Sequence, residues 1–228
     1  MQTLLLLHGA IGSVQQMQPL VKELGERYKI HTLNFSGHGG REFADETFSI
    51  KLFADDVIAF LKDHNIDKVS IFGYSMGGYV GMYMAKHYPD KLDKVITLAT
   101  KYHWDKTTAE KEAKMLDPEK MQAKIPAFAA ILQERHTPED WKKVVAATAE
   151  MMLALGNDNT IRQTDYSSIL HPCLIMLGDR DKMVSLGETV TTYKALPNGS
   201  LCILPATPHP IEQIDTVLLA SMIKQFLQ

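Results

Sequence analysis

The feature that most constrains this 228-residue chain is the alternation of short apolar runs with longer stretches of helical periodicity. Six apolar runs are typical of β-strands, at 3–7, 29–35, 68–72, 94–99, 173–177 and 200–204. Helical spacing marks the segments 14–27, 49–64, 76–87, 186–196 and 211–227. The alternation predicts βαβ units, and therefore an α/β fold with a mostly parallel sheet of about six strands. Because several strands are apolar throughout, helices are expected on both faces of the sheet.

Residues 101–165 interrupt this alternation, because they are rich in charge and lack a convincing strand run. Helix starts are expected at Asp117-Pro118 and Thr137-Pro138, where a cap residue precedes a proline at the first helical position. Gly156 is expected to cap the C-terminus of the second of these helices. The sequence therefore predicts a core formed by 1–100 and 166–228, and a helical insertion at 101–165.

Composition excludes several classes of function. The 24 Lys and Arg residues against 27 Asp and Glu give a net charge of −3, which does not favour nucleic acid as a partner. The two cysteines, Cys173 and Cys202, lie in apolar runs and are expected to be buried reduced thiols. The start of the chain has no basic region and only a short apolar run, unlike a signal peptide, and no run is long enough to span a membrane. We expect a cytoplasmic protein with no required cofactor or metal, and its oligomeric state stays open.

The sharpest local signal is Gly73-Tyr74-Ser75-Met76-Gly77-Gly78, between a predicted strand and a predicted helix. A serine in such a tight turn is held out above the sheet, and the small residues around it let the backbones pack closely. The helix that begins at Met76 directs its N-terminal N–H groups towards this position, which favours a developing negative charge. Ser75 is therefore a candidate nucleophile. The alternative is a glycine-rich turn whose serine only caps the helix.

A serine hydroxyl needs a base within hydrogen-bond reach. The chain has nine histidines, at positions 8, 31, 38, 64, 87, 103, 136, 171 and 209. His209 directly follows the last predicted strand between Pro208 and Pro210, which restrict the backbone of its loop. Ligands of open parallel sheets bind at the carboxyl ends of the strands, and Ser75 and His209 both lie at such ends. His209 is therefore the candidate base.

A base of this kind needs a carboxylate to orient it, and two candidates follow the fifth strand. Asp179 and Asp181 differ by two positions, so only one of them is expected to face His209. Asp179 could instead stabilise the turn at Gly178, because aspartate beside glycine often does so. From the residues alone the choice stays open.

The loop after the first strand, His8-Gly9-Ala10-Ile11-Gly12, completes the set. Glycine lets backbone N–H groups approach a ligand closely. A donor from this loop, beside the N–H of Met76, would form an oxyanion hole. His8 is expected to organise the loop rather than to act as a base.

Together these segments resemble the α/β-hydrolase fold superfamily. The likeness rests on His8-Gly9-x-x-Gly12, Ser36-Gly37-His38-Gly39, Gly73-Tyr74-Ser75-Met76-Gly77-Gly78, Gly178-x-x-Asp181-x-x-Val184 and His209. The resemblance implies a catalytic triad in the order Ser75, Asp181 and His209, so it favours Asp181 over Asp179. It also implies an oxyanion hole from the backbone N–H groups of Ala10 and Met76, and a lid formed by the insertion.

The sequence departs from the family pattern in two places. Many members have glycine before the histidine, whereas Pro208 cannot take a positive φ, so this loop is expected to run differently. The predicted sheet begins directly at the strand that leads to His8, so two strands that usually precede it are expected to be missing.

These features predict a serine hydrolase that acts on a small carboxylic ester through an acyl-enzyme on Ser75. The triad equally fits a lyase such as the menaquinone-pathway synthase, a C–C bond hydrolase, a thioesterase or an acyltransferase, and a receptor-like binding module is a further alternative. A lyase with a carboxylated substrate would need cationic groups in the pocket, for which Arg41, Arg135 and Arg162 are candidates. The insertion offers apolar groups that could face a small acyl or alcohol group, or pack on the core: Trp104, Met115, Phe128, Trp141, Met151 and Met152.

Overall fold

The computed structural model describes all 228 residues. It contains one six-stranded sheet in which every neighbouring pair of strands is parallel, in the order β2-β1-β3-β4-β5-β6. The strands are β1 (Thr3–Leu7), β2 (Lys29–Leu33), β3 (Val69–Tyr74), β4 (Leu92–Leu98), β5 (Cys173–Gly178) and β6 (Gly199–Leu204). The predicted α/β fold with about six parallel strands is confirmed.

Nine α-helices accompany the sheet. They are α1 (Gln18–Leu24), α2 (Ile50–Asp63), α3 (Met76–His87), α4 (Lys106–Ala113), α5 (Pro118–Lys124), α6 (Pro126–His136), α7 (Trp141–Asn157), α8 (Leu186–Ala195) and α9 (Thr216–Leu227). None of them combines the length and the apolar character that crossing a bilayer requires. The chain contains no disulfide, and of its two free thiols Cys173 is buried and Cys202 is half-buried.

Both faces of the sheet are covered by helices, as the sequence predicts. Alternate residues of β1 point to opposite faces, so Leu5 and Leu7 belong to a core with α2 and α3, whereas Leu4 and Leu6 belong to a core with α1 and α9. All four leucines are fully buried. This two-sided burial explains why the strand is apolar throughout.

The strand order places a crevice at the end of the sheet where β1 and β3 finish. The chain passes from β1 to β2 on one side and then crosses to β3 on the other, so the order reverses at β1. Such a reversal separates the loops at the carboxyl ends of the two strands and leaves room for a ligand. Ala10, in the loop that begins at His8, and Ser75 both line a cavity at this crevice.

The segment between β4 and β5 is helical and contains α4, α5, α6 and α7. The predicted start of α5 at Pro118, with Asp117 as cap, is confirmed. The predicted start at Thr137-Pro138 is wrong, because Thr137 ends α6 and the Asp140 carboxylate caps α7 by accepting from the N–H of Lys142. Asp140 thus supplies the side-chain acceptor for the helix N-terminus, a role that the sequence pattern assigns to Thr137.

Two other helix boundaries also differ from the sequence prediction. Gly156 lies inside α7 rather than at its cap, and a side chain there would collide with Ala109 of α4. Glycine at this position therefore permits a close approach of two helices. The last predicted helix is divided, with a 3₁₀ turn at Ile211–Gln213 and a new start capped by Asp215.

Candidate active site

Ser75 occupies a strained turn between β3 and α3. Its φ of 51° and ψ of −115° lie outside the regions that side chains with a Cβ normally adopt. Two hydrogen bonds hold the turn, because the Ser75 N–H donates to the Leu98 carbonyl at 2.8 Å and the Thr100 hydroxyl donates to the Ser75 carbonyl at 3.0 Å. The hydroxyl does not cap α3. The alternative interpretation of Ser75 as a simple helix cap is therefore not supported.

The glycines around Ser75 are required by close backbone approaches. A Cβ at Gly77 would lie 2.5 Å from the Leu7 carbonyl oxygen and 2.6 Å from that of His8. A Cβ at Gly73 would collide with the backbone of Gly77 and Gly78. Strands β1 and β3 can approach helix α3 this closely only without those side chains, and the packing fixes the position of Ser75.

His209 and Asp181 form a hydrogen-bonded pair at the ends of β6 and β5. The distance from His209 Nδ1 to Asp181 Oδ2 is 2.7 Å. The other carboxylate oxygen, Oδ1, accepts from the N–H groups of Met183 at 2.8 Å and Val184 at 2.9 Å. The Asp181 side chain is fully buried, and that of His209 is 11% exposed. The carboxylate is thus fixed by three donors and holds the imidazole through Nδ1.

Burial alone would raise the pKa of Asp181. The hydrogen bond from His209 and the two backbone N–H donors act in the opposite direction and leave the pKa below its ordinary value. Asp181 therefore carries a negative charge at neutral pH. A charged carboxylate on Nδ1 keeps the proton on that nitrogen and leaves Nε2 as the basic atom.

The structure distinguishes Asp181 from Asp179. The Asp179 carboxylate accepts from the Thr207 N–H at 3.1 Å, and the Arg180 N–H donates to the Thr207 carbonyl at the same distance. Asp179 therefore fastens the loop that leads to His209 without contacting the imidazole. The residues alone left both aspartates open, and only Asp181 reaches the ring.

The loop that carries His209 accommodates Pro208 by placing its left-handed residue earlier. Ala206 has a φ of 52°. The Tyr74 hydroxyl donates to the His209 carbonyl at 3.0 Å, which ties the loop to the residue before Ser75. The residue with the positive φ is thus Ala206 and not Pro208. That the loop runs differently from one with glycine before the histidine stays a prediction.

His8 organises the loop after β1. Its Nδ1 donates to the Gly9 carbonyl at 2.8 Å, and its Nε2 accepts from the Phe35 N–H at 3.2 Å. Burial lowers the pKa of His8 to about 4, so the ring is neutral at neutral pH. Both ring nitrogens are occupied by backbone groups, as expected for a structural histidine.

Two backbone N–H groups at the crevice have no acceptor in the protein. They belong to Ala10, in the loop after β1, and to Met76, the first residue of α3. Both residues line the same cavity as Ser75 and His209. No hydrogen bond joins the Ser75 hydroxyl to His209 in this structure, and such bonds often tighten only when a substrate is bound.

The cavity has two compartments, of about 50 Å³ and about 300 Å³, which we call the deep and the outer compartment. Six residues line both of them: Ala10, Ser75, Glu112, Met152, Met183 and His209. Ser75 thus lies where the two compartments meet. A bound molecule attacked at this point would extend into both.

The helical insertion supplies much of the apolar lining. Trp104 and Met151 line the deep compartment, Met115 and Phe128 line the outer one, and Met152 lines both. Trp141 lines neither compartment. It packs in a small cluster inside the insertion with Met121, Ala129, Leu132 and Val145.

One of the three candidate arginines lines the cavity. Arg135 lies in the outer compartment, where it donates to the Ile11 carbonyl at 3.0 Å and lies 3.5 Å from Glu212. Arg41 instead pairs with Asp56 at 2.6 Å, and Arg162 lines neither compartment. No group of His, Cys, Asp or Glu side chains is arranged to hold a metal ion.

The sequence did not reveal Lys101 and Glu112 as cavity residues. A signal existed for Lys101, which closely follows the carboxyl end of β4. No comparable signal existed for Glu112, because its position depends on how α4 packs on the rest of the molecule. Another unforeseen contact is His136, which accepts from the Gly39 N–H at 3.1 Å and donates to the Ile11 carbonyl at 3.1 Å.

Several known proteins are similar to this chain. Residues 2–144 match the model of a family described as the alpha/beta hydrolase fold. A 2-(acetamidomethylene)succinate hydrolase of Mesorhizobium japonicum is 21% identical over 98% of this chain and 87% of its own. A thermophilic esterase from Thermogutta terrifontis superposes with a TM-score of 0.78 at 20% identity, over 100% of this chain and 89% of its own. MenH from S. aureus gives the same TM-score and identity over 99% and 93%.

Proposed function

The chain belongs to the alpha/beta hydrolase fold family, and from that premise we propose that it is a serine hydrolase that cleaves a small carboxylic ester through an acyl-enzyme on Ser75. The observation that carries the proposal is the 2.7 Å hydrogen bond from His209 to Asp181 in a cavity that Ser75 also lines. The fold places all three at the carboxyl ends of strands, where α/β sheets bind their ligands.

In the first half of the reaction, the Ser75 Oγ forms a bond to the ester carbonyl carbon while its proton moves to His209 Nε2. Asp181 stabilises the resulting imidazolium through Nδ1. The tetrahedral intermediate then expels the alcohol, which takes the proton from Nε2 as its bond to carbon breaks. The acyl group remains as an ester on Ser75.

The negative charge on the intermediate requires donors at the position of the former carbonyl oxygen. The N–H groups of Ala10 and Met76 suit this role because neither has another acceptor. Such donors stabilise the intermediate by about 3 kcal/mol each. Met76 also begins α3, so the positive end of the helix dipole adds to the effect.

In the second half, water adds to the acyl carbon as His209 takes its proton. His209 then returns that proton to Ser75 Oγ as the bond between the acyl carbon and Oγ breaks, and the carboxylic acid leaves. The mechanism thus needs no group beyond the three side chains and the two backbone donors.

We assign residues 101–165 as a lid over this site, with 1–100 and 166–228 as the catalytic core. The assignment is supported by the lining of the cavity, since Trp104, Met151 and Met152 all face it from the insertion. Apolar side chains at this place suit a small apolar acyl or alcohol group and reduce access of water to the intermediate.

A carboxylated substrate, as the lyase alternative requires, receives less support. Arg135 is the one candidate arginine in the cavity, and it is already engaged by Glu212 and the Ile11 carbonyl. C–C hydrolase, thioesterase and acyltransferase activities use the same three side chains and differ in the substrate. The esterase name of the Thermogutta relative favours an ester as the first substrate to test.

The proposal is tested with a fluorophosphonate probe and with p-nitrophenyl acetate and butyrate. The wild-type protein should hydrolyse both esters, and mass spectrometry should locate the probe adduct on Ser75. Ser75→Ala should lose the adduct and about 10⁴–10⁶ of kcat, whereas Ser221→Ala, at an exposed position of α9, should keep both. Equal turnover by wild type and Ser75→Ala would refute the mechanism. Ligand binding without turnover would favour a receptor-like module.

A further inference from the structure

Glu112 presents a carboxylate to the cavity without a hydrogen-bond donor from the protein. The residue is 3% exposed and lines both compartments. Its nearest cation, Lys101 Nζ, lies 3.5 Å from Oε1, and no other group of the protein pairs with it. A carboxylate can accept several hydrogen bonds, so beside this one ion pair Glu112 keeps acceptor capacity for a donor on a molecule in the cavity.

Lys101 does not neutralise this site, because its ammonium group is shared. Its shortest contact, at 2.7 Å, is to the Met183 carbonyl. A second carboxylate, that of Glu188, lies 4.0 Å from Nζ. Two carboxylates around one ammonium leave the local charge negative, which favours a hydrogen-bond donor and disfavours a carboxylate on the bound molecule.

The remainder of the deep compartment is mainly apolar, with Ile50, Tyr79, Trp104 and Leu155 among its lining residues. A hydrogen-bond acceptor in a mainly apolar compartment discriminates between ligands, since a ligand without a donor displaces water from the carboxylate and gives it no hydrogen bond in return. Glu112 and Ser75 line both compartments together, so a molecule bound for attack at Ser75 can also contact Glu112.

We propose that Glu112 is a specificity-determining residue that selects esters carrying a hydroxyl or N–H donor close to the reacting carbonyl. This assignment rests on the proposed ester hydrolysis at Ser75. Glu112 is not a member of the proton-transfer chain, and it acts by accepting a hydrogen bond from the bound substrate.

The test compares two pairs of esters in which a methyl group replaces a hydroxyl. Methyl 3-hydroxybutanoate and methyl 3-methylbutanoate differ in the acyl part. 2-Hydroxyethyl acetate and propyl acetate differ in the alcohol part, and acyl migration in the hydroxy ester regenerates the same compound. The wild-type protein should prefer the hydroxy ester of at least one pair by about tenfold or more in kcat/KM, as expected for a hydrogen bond to a charged group.

Two variants separate recognition from folding. Glu112→Gln keeps the shape and a neutral acceptor and should reduce the preference several-fold. Glu112→Met removes the acceptor and should abolish the preference while the apolar ester is still hydrolysed. Glu110→Gln, at an exposed position of the same helix, should keep the wild-type preference. Thermal unfolding followed by circular dichroism identifies any variant that fails to fold.

The outcomes distinguish this assignment from the proposed function. A structural role for Glu112 would lower stability in both variants but leave the ratio of hydroxy to methyl ester unchanged, which would overturn the assignment. The same holds if the wild-type protein hydrolyses both members of each pair equally by a Ser75-dependent reaction. Absence of Ser75-dependent turnover of all four esters would instead refute the ester hydrolysis on which the assignment depends.

Discussion

The two sides of the cavity are built differently. On the sheet side, Ser75, Asp181 and His209 are fixed by hydrogen bonds to the backbone or to each other, and Ser75 has a strained conformation. On the insertion side, Met151 and Met152 contribute apolar side chains with several rotatable bonds. Bond making requires tightly held groups, whereas a surface that accommodates a substrate can adapt. Substitutions should therefore reduce rate on the sheet side and change selectivity on the insertion side.

The largest expected effect that separates the two aspartates comes from Asp181→Asn. The substitution removes the charge that holds the imidazole, so kcat for p-nitrophenyl butyrate should fall by about 10⁴. Asp179→Asn is the matched control, since the Asp179 carboxylate accepts a hydrogen bond only from the Thr207 N–H. This substitution should lower the free energy of unfolding and leave kcat nearly unchanged. Similar losses of kcat in the two variants would show that Asp181 has no special role.

A second prediction concerns the tight packing under Ser75. In Gly77→Ala the new methyl group must displace the carbonyls of Leu7 and His8, which should cost about 1–3 kcal/mol of stability and about 10²-fold in kcat. Gly187→Ala, in α8 where the new methyl group would meet only the Ser185 hydroxyl at 3.9 Å, should instead stabilise the protein by up to about 1 kcal/mol. Urea unfolding and ester turnover measure both effects. A fully active Gly77→Ala would show that the turn is adaptable.

The third prediction uses pH and compares the core with the insertion. Burial lowers the pKa of His8 and of His136 to about 4, from 6.5. Between those pH values the two histidines bind protons in the unfolded chain but not in the folded chain. Their contribution to the free energy of unfolding is therefore fully present above pH 6.5 and decreases as the pH falls below it. Each histidine contributes a slope of up to about 1.4 kcal/mol per pH unit.

Urea unfolding at pH 7.0, 6.0 and 5.5 measures this slope. His136→Asn should reduce it, because one of the buried groups that resist protonation is removed. His103→Gln, at an exposed position of the same insertion, should leave the slope unchanged. If His136→Asn left the dependence of unfolding free energy on pH unchanged, protonation of His136 would not destabilise the fold. The contact of the insertion with the loops at Gly39 and Ile11 would then open on acidification with no loss of unfolding free energy.

The smallest effect is expected on the insertion side. Met152→Ala enlarges both compartments and should change the ratio of kcat/KM between p-nitrophenyl butyrate and acetate by roughly two- to tenfold, with little loss of the faster rate. The neighbouring Leu153→Ala, at an exposed position of α7, should leave the ratio unchanged. A large loss of kcat for both esters in Met152→Ala would contradict the division between the two sides.

The sequence predicted the sheet side of the molecule well because local patterns determine it. The apolar runs locate all six strands, and the turn around Ser75 is identified by glycines that its packing requires. Asp179 and Asp181 could not be separated from local pattern alone, since both follow the same strand. The two aspartates differ in which carboxylate reaches His209, and that depends on the tertiary structure. The prediction of Asp181 therefore came from the resemblance to the family.

The insertion side was predicted less well because tertiary packing determines it. Gly156 has the same sequence context whether it ends a helix or allows α7 to approach Ala109 of α4. Trp141 and Met152 are similar large side chains on one helix, yet only Met152 faces the cavity. Glu112 resembles a surface residue of a charged segment until the packing of α4 places it inside.

Strands β4 and β5 are hydrogen-bonded neighbours, from Val95 opposite Cys173 to Leu98 opposite Met176. The polypeptide between them therefore leaves and re-enters the sheet at adjacent points, whatever its length or sequence. A foreign segment grafted between these two anchors would leave Ser75, Asp181 and His209 in place, because all three lie outside it. It would have to replace the contacts that the present segment makes with the rest of the chain, among them those of His136 and Arg135 with the Ile11 carbonyl. With those contacts replaced, it could bring a new substrate range to the same site.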